Sequence, residues 1–311
     1  MISSIKEKFK LIYLPFLFVS IGFVAIYTFA HCFFVLEKEW VSLDEELIDI
    51  WIPGVLAWIP IFFWLKPRLL LFDWKEKDNP DIAYQLFTVL FIVFCSANIQ
   101  QYLRKTSSNL IHLTDISEIK TNTSTKYYTI DSFDIQREIF QASWNIKSTD
   151  DYLNIHLYIM TPIFSRSKND DVNQFKKKLL LNPKLKQTIS ILKNSNTPVL
   201  FNGNDVPNIK YWYGVEFKKQ YEYSYINTKS QKNINEFISE AVKKYKIYDF
   251  QNFEYLETLG NSETKKYFLE AIENGKKIKT DEVIVFTPVQ ESFTERTKSN
   301  IRWLFYSLAV G

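Results

Sequence analysis

The sequence predicts a membrane protein with three N-terminal transmembrane α-helices, an extracytoplasmic α+β domain and the start of a fourth apolar span. Three observations predict this class. Three long apolar runs, each bordered by charged residues, lie in the first third of the chain. From about Lys105 to Arg302 the chain is polar and aromatic, and its last residues are apolar again. The expected boundaries are 1–104 for the membrane region, 105–301 for the α+β domain and 302–311 for a truncated fourth span.

The composition of the chain, which at 311 residues is long enough for two domains, agrees with this division. Hydrophobic residues make up 46%, yet mean hydropathy is only −0.16, so apolar residues are concentrated in one part. The net charge of +3 is too weak to indicate a nucleic-acid partner. Cys32 and Cys95 both lie in apolar runs and lack the spacing of a disulfide framework or a metal site. We therefore expect no nucleic acid and no cofactor.

The first apolar run extends from Leu11 to Leu36 without a charge. A secretory signal peptide has an apolar core of about 7–15 residues and a small-residue cleavage site. This run is longer and has no such site, which favours a retained signal anchor. His31 lies near its outer end, where an interfacial position is favoured over a functional intramembrane site.

The second apolar run, Ile50–Phe72, is uncharged up to Lys66. The uncharged part is slightly shorter than the roughly 20 residues that a span needs. Lys66 and Arg68 can extend toward water, so the residues that follow them can lie at the interface. Pro53 and Pro60 would break a soluble helix but are tolerated in a span. A buried helix of a soluble protein is the alternative, and it does not explain the similar runs on either side.

The third apolar run is Ile82–Leu103, and the flanking charges orient all three. Lysine and arginine are concentrated in the N-terminal head and in the loop after the second run, whereas the linker Glu37–Asp49 is acidic. The positive-inside rule therefore predicts a cytoplasmic N-terminus and an extracytoplasmic segment 105–301. Arg104 and Lys105 argue weakly against this orientation, but a long following domain is translocated largely regardless of charge.

Alternating apolar and polar residues predict the strands of the α+β domain. Phe140–Ile146 and Leu153–Ile159 alternate in this way and are separated by a short polar turn, so an antiparallel hairpin is expected. The polar face of the second strand carries His156, which we expect to be solvated. A third strand places four apolar residues on one face, and Val283–Thr287 is a further short strand. The four residues are Tyr211, Tyr213, Val215 and Phe217.

Two helices are indicated by apolar residues at helical spacing. One follows Ser230 as N-cap and buries a stripe that runs from Ile234 to Tyr245. The other is Lys265–Asn274, capped by Asn261 or Ser262. Its inward residues are Phe268, Ala271 and Ile272, with Gly275 as the stop. The stretch Gln174–Leu192 also has helical character, interrupted by Pro183, and Asn202-Gly203 marks a turn.

No residue is predicted to be catalytic, cofactor-binding or metal-binding. The sequence has no Gly-x-Ser-x-Gly, His-Glu-x-x-His, phosphate-binding loop or dinucleotide fingerprint. The acidic pairs Asp150-Asp151 and Asp170-Asp171 lack further calcium ligands nearby. Lys176–Lys178 fits a solvated face better than a lipid or polyanion site. Asn122-Thr123-Ser124 matches a glycosylation sequon, which has no meaning in a bacterial host.

The C-terminal stretch from Trp303 to Gly311 is apolar but short. Nine helical residues rise roughly 14 Å, which is under half of a hydrocarbon core of about 30 Å. This stretch is therefore either an interfacial foot or the first half of a fourth span whose remainder is missing.

Several short motifs occur one after another along the chain. They are YLPFL (Tyr13–Leu17), YTFAH (Tyr27–His31), WIPIFFWLKPR (Trp58–Arg68), TKYYTI (Thr125–Ile130), LNIHLYIMTPI (Leu153–Ile163), VFTPVQESF (Val285–Phe293) and the aromatic Trp303-Leu304-Phe305. With these motifs most of the chain resembles the N-terminal extension of a group of bacterial rhomboid-family intramembrane serine proteases. In that family a serine in a Gly-x-Ser-Gly helix and a histidine on a later span lie in a six-span domain that would follow. None of those residues exists in this sequence.

The resemblance implies the non-catalytic front part of such a protease, in the bacterial inner membrane. Its partners would be the lipid bilayer and membrane-protein substrates or partner helices. A stand-alone membrane-anchored sensor or binding module with an extracytoplasmic domain is the alternative, since the missing catalytic residues favour it equally. A transporter is a distant third possibility, because three spans rarely enclose a pathway.

Overall fold

A computed structural model describes ten stretches of the chain and divides it into two compact units. The described residues are 9–37, 43–69, 80–119, 125–137, 140–149, 152–166, 209–222, 226–273, 283–298 and 300–303. Unit 1 is Met1–Ser108 with Thr294–Gly311, and unit 2 is Asn109–Phe293. Several expectations lie outside the described residues: the 174–192 helix, the Asn202-Gly203 turn, Lys176–Lys178, both acidic pairs, the sequon, the Gly275 stop and the tail after Trp303.

Unit 1 contains three helices that are long and apolar enough to cross a membrane. They are α1 (Leu14–Leu36), α2 (Leu47–Leu69) and α3 (Asp81–Thr106), of 23, 23 and 26 residues. At about 1.5 Å per residue they measure about 34 to 39 Å, more than a hydrocarbon core of about 30 Å. The three predicted spans are confirmed in length and composition, and the second begins three residues earlier than the apolar run indicated.

The side chains of these helices are arranged with apolar residues on the outer surface. A small interior core contains Val19, Ala57, Ile61 and Ile92. Large apolar side chains on all three helices are 62–76% exposed: Phe18, Ile26, Phe29, Val55, Phe63 and Leu90. A helix bundle in water would place charged and polar residues there. The surface therefore suits a surrounding of lipid.

The helix α2 continues through both of its prolines, as the sequence predicts. The amide of Ala57 donates to the carbonyl of Pro53 at 2.9 Å, and the amide of Ile61 donates to the carbonyl of Ala57 at 3.3 Å. A wider turn spans Ile61–Leu65, directly after Pro60. A proline lacks the N–H that a regular turn uses, and a local change of pitch accommodates it.

Unit 2 is an α/β unit built on a mixed sheet. Its strands are β1 (Leu110–Asp115), β2 (Tyr127–Ser132), β3 (Asp134–Ile135), β4 (Gln141–Ser148), β5 (Tyr152–Phe164), β6 (Tyr211–Glu222), β7 (Tyr255–Thr258) and β8 (Ile284–Val289). The order is β1-β2-β7-β8-β6-β5, and both β3 and β4 pair with β5 at the far edge. The β1–β2 and β6–β8 pairs are parallel and the others antiparallel. The sequence predicts an α+β domain, and the structure has an α/β unit with a mixed sheet.

The predicted hairpin and strands are present. β4 and β5 are antiparallel, with Ser148 opposite Leu153 across the predicted turn. The strand expected at Val283–Thr287 is β8, but it runs through Pro288 and does not end before it. Pro288 pairs with β7 on one side only, since β6 pairs with β8 no further than Phe286. A proline is tolerated where one edge of a strand has no ladder to complete.

One helix packs on each face of the sheet. On one face α4 (Ile226–Lys246) buries residues from Phe237 to Tyr245 against Ile155, Leu157 and Ile159. On the other face α5 (Glu263–Glu273) buries its predicted inward residues against alternate residues of β5 and β6. These contacts are those of Phe268, Ala271 and Ile272 with Tyr158, Met160 and Trp212.

Gly214 in β6 permits the close approach of α5. A Cβ at this position would lie 2.9 Å from Cε1 of Phe268, closer than real Cβ atoms come to a neighbour. The ring of Phe268 is only 1% exposed and packs directly over the strand backbone. Any other residue at position 214 would require the ring of Phe268, or the helix that carries it, to shift.

Two local expectations are wrong and one is confirmed. Ser230 is not an N-cap, because α4 begins at Ile226. The cap of α5 is Ser262, whose hydroxyl accepts from the amide of Lys265 at 3.2 Å. Trp144 and Ile146, expected on the buried face of their strand, are 51% and 39% exposed because β4 lies at the edge of the sheet.

Candidate functional site

Two buried charges of unit 1 form an ion pair between two apolar helices. Asp49 lies in the first turn of α2 and Arg104 in the last turn of α3. Nη1 of Arg104 donates to Oδ1 of Asp49 at 2.6 Å, and Nη2 donates to Oδ2. The side chains are 7% exposed for Asp49 and 12% exposed for Arg104. The pair is thus bidentate and largely removed from water, the geometry in which an arginine–carboxylate contact is strongest.

The third helix reaches the same place through Tyr27. Its hydroxyl donates to the backbone carbonyl of Ile48, the neighbour of Asp49. One turn further along α1, His31 is 3% exposed, so its side chain is buried in unit 1. All three helices therefore meet in one polar cluster, where α1 and α3 end and α2 begins. Both charges of the pair are used in mutual bonds, which makes the cluster a structural tie between helices.

A second polar cluster joins the end of α3 to the segment that follows unit 2. Nε of Arg296 donates to the carbonyl of Lys105 at 3.1 Å, and Nζ of Lys105 donates to Oδ1 of Asn300 at 2.9 Å. Asn300, which is 6% exposed, donates in turn to Oε1 of Gln101 at 3.3 Å. The residues up to Trp303 are helical at this point. The residues before and after unit 2 are thus hydrogen-bonded to each other within unit 1.

A carboxylate, an imidazole and a hydroxyl are aligned on the surface of unit 2. Nδ1 of His112 lies 3.0 Å from Oγ1 of Thr129, and Nε2 lies 3.2 Å from Oδ2 of Asp131. This is the chemical order of an activated nucleophile. Such a nucleophile requires a site that excludes water, and the side chains of His112 and Asp131 are 65% and 52% exposed. We interpret the cluster as a surface hydrogen-bond network, which the sequence did not indicate because His112 lies on β1 and both of its partners lie on β2.

His156 is only partly solvated, less than the sequence predicts. Its Nδ1 lies 2.6 Å from Oε1 of Glu216, and its side chain is 22% exposed. Its ring lies parallel to the ring of Tyr158 at 6.2 Å, and Tyr158 stacks on Tyr267 at 5.2 Å. The stack forms because β5 places both residues on the face that α5 covers. The histidine is held between a carboxylate and an aromatic ring.

Charged partners and burial hold the tyrosines of this face in their protonated form. Burial, and then the charge of Glu216, raises the pKa of Tyr158. The hydroxyl of Tyr267 donates to Oε1 of Glu263 at 2.6 Å, which with burial raises the pKa of Tyr267 to about 12. Nζ of Lys147 donates to Oε2 of the same carboxylate at 2.6 Å and lowers the pKa of Glu263. Neither tyrosine can act as a base near neutral pH.

These clusters connect structural elements and do not form a reaction centre. Within the described ranges there is no group of three or more His, Cys, Asp or Glu side chains that could hold a metal ion. Comparison with protein-family models, with curated proteins and with solved structures finds no match. The resemblance to rhomboid-family extensions therefore rests on the sequence motifs alone.

Proposed function

We propose that the chain is a membrane-anchored, non-catalytic binding module. Its helices α1, α2 and α3 cross a bilayer and hold unit 2 on the extracytoplasmic side, where the sheet binds segments of other proteins. The observation that carries this proposal is the apolar outer surface of three helices that are long enough to cross. The charged residues of these helices lie near the helix ends, and two of them, Asp49 and Arg104, form a buried pair, which suits spans that end at an interface.

The ion pair supports the orientation with a cytoplasmic N-terminus. Arg104 is the residue that argues against this orientation when lysines and arginines are counted. In the structure its charge is balanced by Asp49, with both side chains largely buried. The basic residues of the head and of the loop after α2 then outweigh those at the end of α3. The ends of α1 and α3 and the start of α2 belong to the extracytoplasmic side in this proposal.

The motif resemblance favours a specific setting for this module. We place it as the N-terminal portion of a rhomboid-type intramembrane serine protease in the bacterial inner membrane. In that role it anchors and presents substrate or partner segments to a membrane-embedded active site further along the protein. The test is the complete reading frame: it must continue past Gly311 into a span with Gly-x-Ser and a later span with histidine. A reading frame without them removes the protease setting and leaves the binding module.

The second candidate is a stand-alone sensor, which needs no reaction centre. The exposed His112 cluster, read as a surface hydrogen-bond network, fits a sensor as well as it fits a protease extension. Crosslinking in native membranes separates the two. A protease extension is expected to trap membrane-protein segments that accumulate when proteolysis is blocked. A sensor is expected to trap one signalling partner in the same amount whether or not proteolysis is blocked.

A further inference from the structure

We propose that the interior of unit 1 binds a short file of ordered water molecules between α1 and α3. The binding site is a row of four polar side chains, Ser20 and Thr28 on α1 and Ser96 and Gln100 on α3. The row leads toward the buried ion pair at the ends of the helices. This inference goes beyond the proposed binding function, because it concerns the interior of the membrane helices and not the sheet.

The side chains of this row are buried and have no hydrogen-bond partner among the described residues. Ser20, Ser96 and Gln100 are 0% exposed, and the hydroxyl oxygen of Thr28 is buried as well. Both the nitrogen and the oxygen of the Gln100 amide lack a partner in the described part of the chain. Burial of a polar group destabilises a fold unless another group replaces its bonds to water, and lipid offers no replacement. The row therefore requires a partner that both donates and accepts.

Another hydroxyl of α3 shows how such a group is normally satisfied in an apolar helix. Thr88 donates to the carbonyl of Tyr84, four residues earlier, at 2.7 Å. Ser96 makes no such bond to the described part of its helix. Its hydroxyl and the amide of Gln100 lie one turn apart on the same face of α3, where one partner can reach both. These two side chains thus depend on a group from outside their own helix.

Two contacts fix the level of α1 against α3. The ring of Phe16 lies 5.4 Å from the ring of Phe91, and further along α1 the hydroxyl of Tyr27 donates to the carbonyl of Ile48, next to the ion pair. The two helices therefore run side by side in the same direction. All four members of the row lie between these two levels or one residue beyond them.

The spacing of the row matches the reach of bridging water. At about 1.5 Å of rise per residue, consecutive members of the row are at most about 6 Å apart along the helix axes. One water molecule with two hydrogen bonds of about 2.8 Å joins polar atoms up to about 6 Å apart. A file of a few molecules therefore connects the whole row without a change in the position of the helices.

The burial of the row decides what its partner is. A lipid headgroup or a further helix would leave these side chains exposed in its absence, whereas Ser20, Ser96 and Gln100 are fully enclosed. Water is small enough to be enclosed with them, and one molecule can accept from an amide and donate to a hydroxyl. Water can enter at the ion pair, where the side chain of Arg104 is 12% exposed.

The test measures magnetisation transfer from water to the side-chain amide of Gln100, by solid-state nuclear magnetic resonance of the full chain in liposomes. The Gln100 signal is assigned by its loss in Gln100→Met. The matched control is the backbone amide of Ile92, a residue that is 0% exposed in the apolar core of the same helix. We expect transfer to Gln100 to be at least about 5-fold faster, because a bound water would lie within about 3 Å of its nitrogen. Equal transfer to both amides would overturn the proposal.

Ser96→Cys gives a second readout that does not depend on the Gln100 signal. It is made with Cys32 and Cys95 replaced by alanine, and infrared spectroscopy follows the exchange of its S–H group in D2O. The matched control is Ala57→Cys, at a 0% exposed position of the apolar core. We expect the thiol at position 96 to be hydrogen-bonded and to exchange at least about 5-fold faster than the thiol at position 57.

A dry interior gives the opposite infrared result. A thiol at position 96 that has the band of an unbonded S–H group and exchanges no faster than the thiol at position 57 would overturn the proposal, provided that circular dichroism shows unchanged helices. The magnetisation transfer uses the unaltered chain and decides the question if the cysteine variant does not fold. Either negative result would leave the proposed binding function of unit 2 untouched, since that function does not depend on water inside unit 1.

Discussion

Replacing one member of the Asp49–Arg104 pair tests whether this contact ties α2 to α3. In Arg104→Gln the carboxylate of Asp49, with its side chain 7% exposed, loses its cation. Removing one partner of a buried pair costs about 3–5 kcal/mol, because an uncompensated charge remains buried. Asp49→Asn should cost a similar amount by leaving the guanidinium unpaired. The double variant D49N/R104Q removes both charges, and replacing a buried pair by neutral groups is often close to neutral.

The assay is a titration of the full chain from mild mixed micelles into sodium dodecyl sulfate, with helical circular dichroism as the signal. The single variants should unfold at clearly lower detergent fraction, and the double variant should recover most of the loss. Asp81→Asn is the matched control: Asp81 lies in the first turn of α3, where a carboxylate contributes at most about 1 kcal/mol. Single variants no worse than this control, or a double variant whose loss equals the sum of the two, would refute the reasoning.

Three further changes have expected outcomes. Gly214→Ala should lower the free energy of unfolding of unit 2 by about 1–3 kcal/mol, because its Cβ would lie 2.9 Å from the ring of Phe268, and denaturant titration measures this. Asn300→Ala should cost about 1–2 kcal/mol through two lost hydrogen bonds, seen as faster hydrogen exchange at the end of α3. Lys147→Met should reduce the loss of stability on acidification. The bond to Lys147 lowers the pKa of Glu263 in the folded chain. The stabilisation from this bond is therefore fully present above about pH 4.3, the pKa of an unfolded glutamate, and is lost as the pH falls through the lower pKa of the folded chain.

Each of these changes has a control. Gly22→Ala adds a methyl group with no atom within 4 Å and should not destabilise the chain, so an equal loss there would contradict the packing explanation. Asn98→Ala removes a bond to the carbonyl of its own helix, at Phe94, and should leave exchange at the end of α3 unchanged. The effect of Lys147→Met on acid stability should be under about 1 kcal/mol, because Lys147 and Glu263 are half exposed. In a Glu263→Gln background, Lys147→Met should leave the pH dependence of stability unchanged.

The sequence identified the apolar helices because their signal is local. A run of uncharged residues as long as a bilayer is thick needs no tertiary information, and three such helices are present. The Asp49–Arg104 contact could not be found in this way, because its members are 55 residues apart. From the sequence alone, Arg104 is only a positive charge at the end of a span. Which charges compensate one another depends on how the helices pack.

In unit 2, too, the sequence predicts features with a local signal and misses those that depend on tertiary contacts. The alternation that predicts β5 is correct because Leu153, Ile155, Leu157 and Ile159 all face α4. Trp144 obeys the same alternation and is nevertheless exposed, because the period of a strand does not reveal whether the strand lies at an edge. The parallel pairs β1–β2 and β6–β8 join strands that no tight hairpin turn connects, so neither pairing carries a local signal. Sequence patterns therefore predicted β4, β5, β6 and β8, half of the eight described strands, and the inward faces of the helices, but not the order of the sheet or the clusters that cross it.

The central claim is that α1, α2 and α3 cross a membrane and leave unit 2 on the extracytoplasmic side. Its most direct test labels single cysteines with a membrane-impermeant maleimide in sealed right-side-out vesicles, in a background with both Cys32 and Cys95 replaced by alanine. One cysteine replaces Tyr152, 42% exposed in unit 2, and the other replaces the exposed Lys10 before α1. The account predicts labelling at position 152 in intact vesicles and at position 10 only after permeabilisation. Labelling in the reverse pattern would contradict the orientation, and labelling of both sites in intact vesicles would contradict the three crossings.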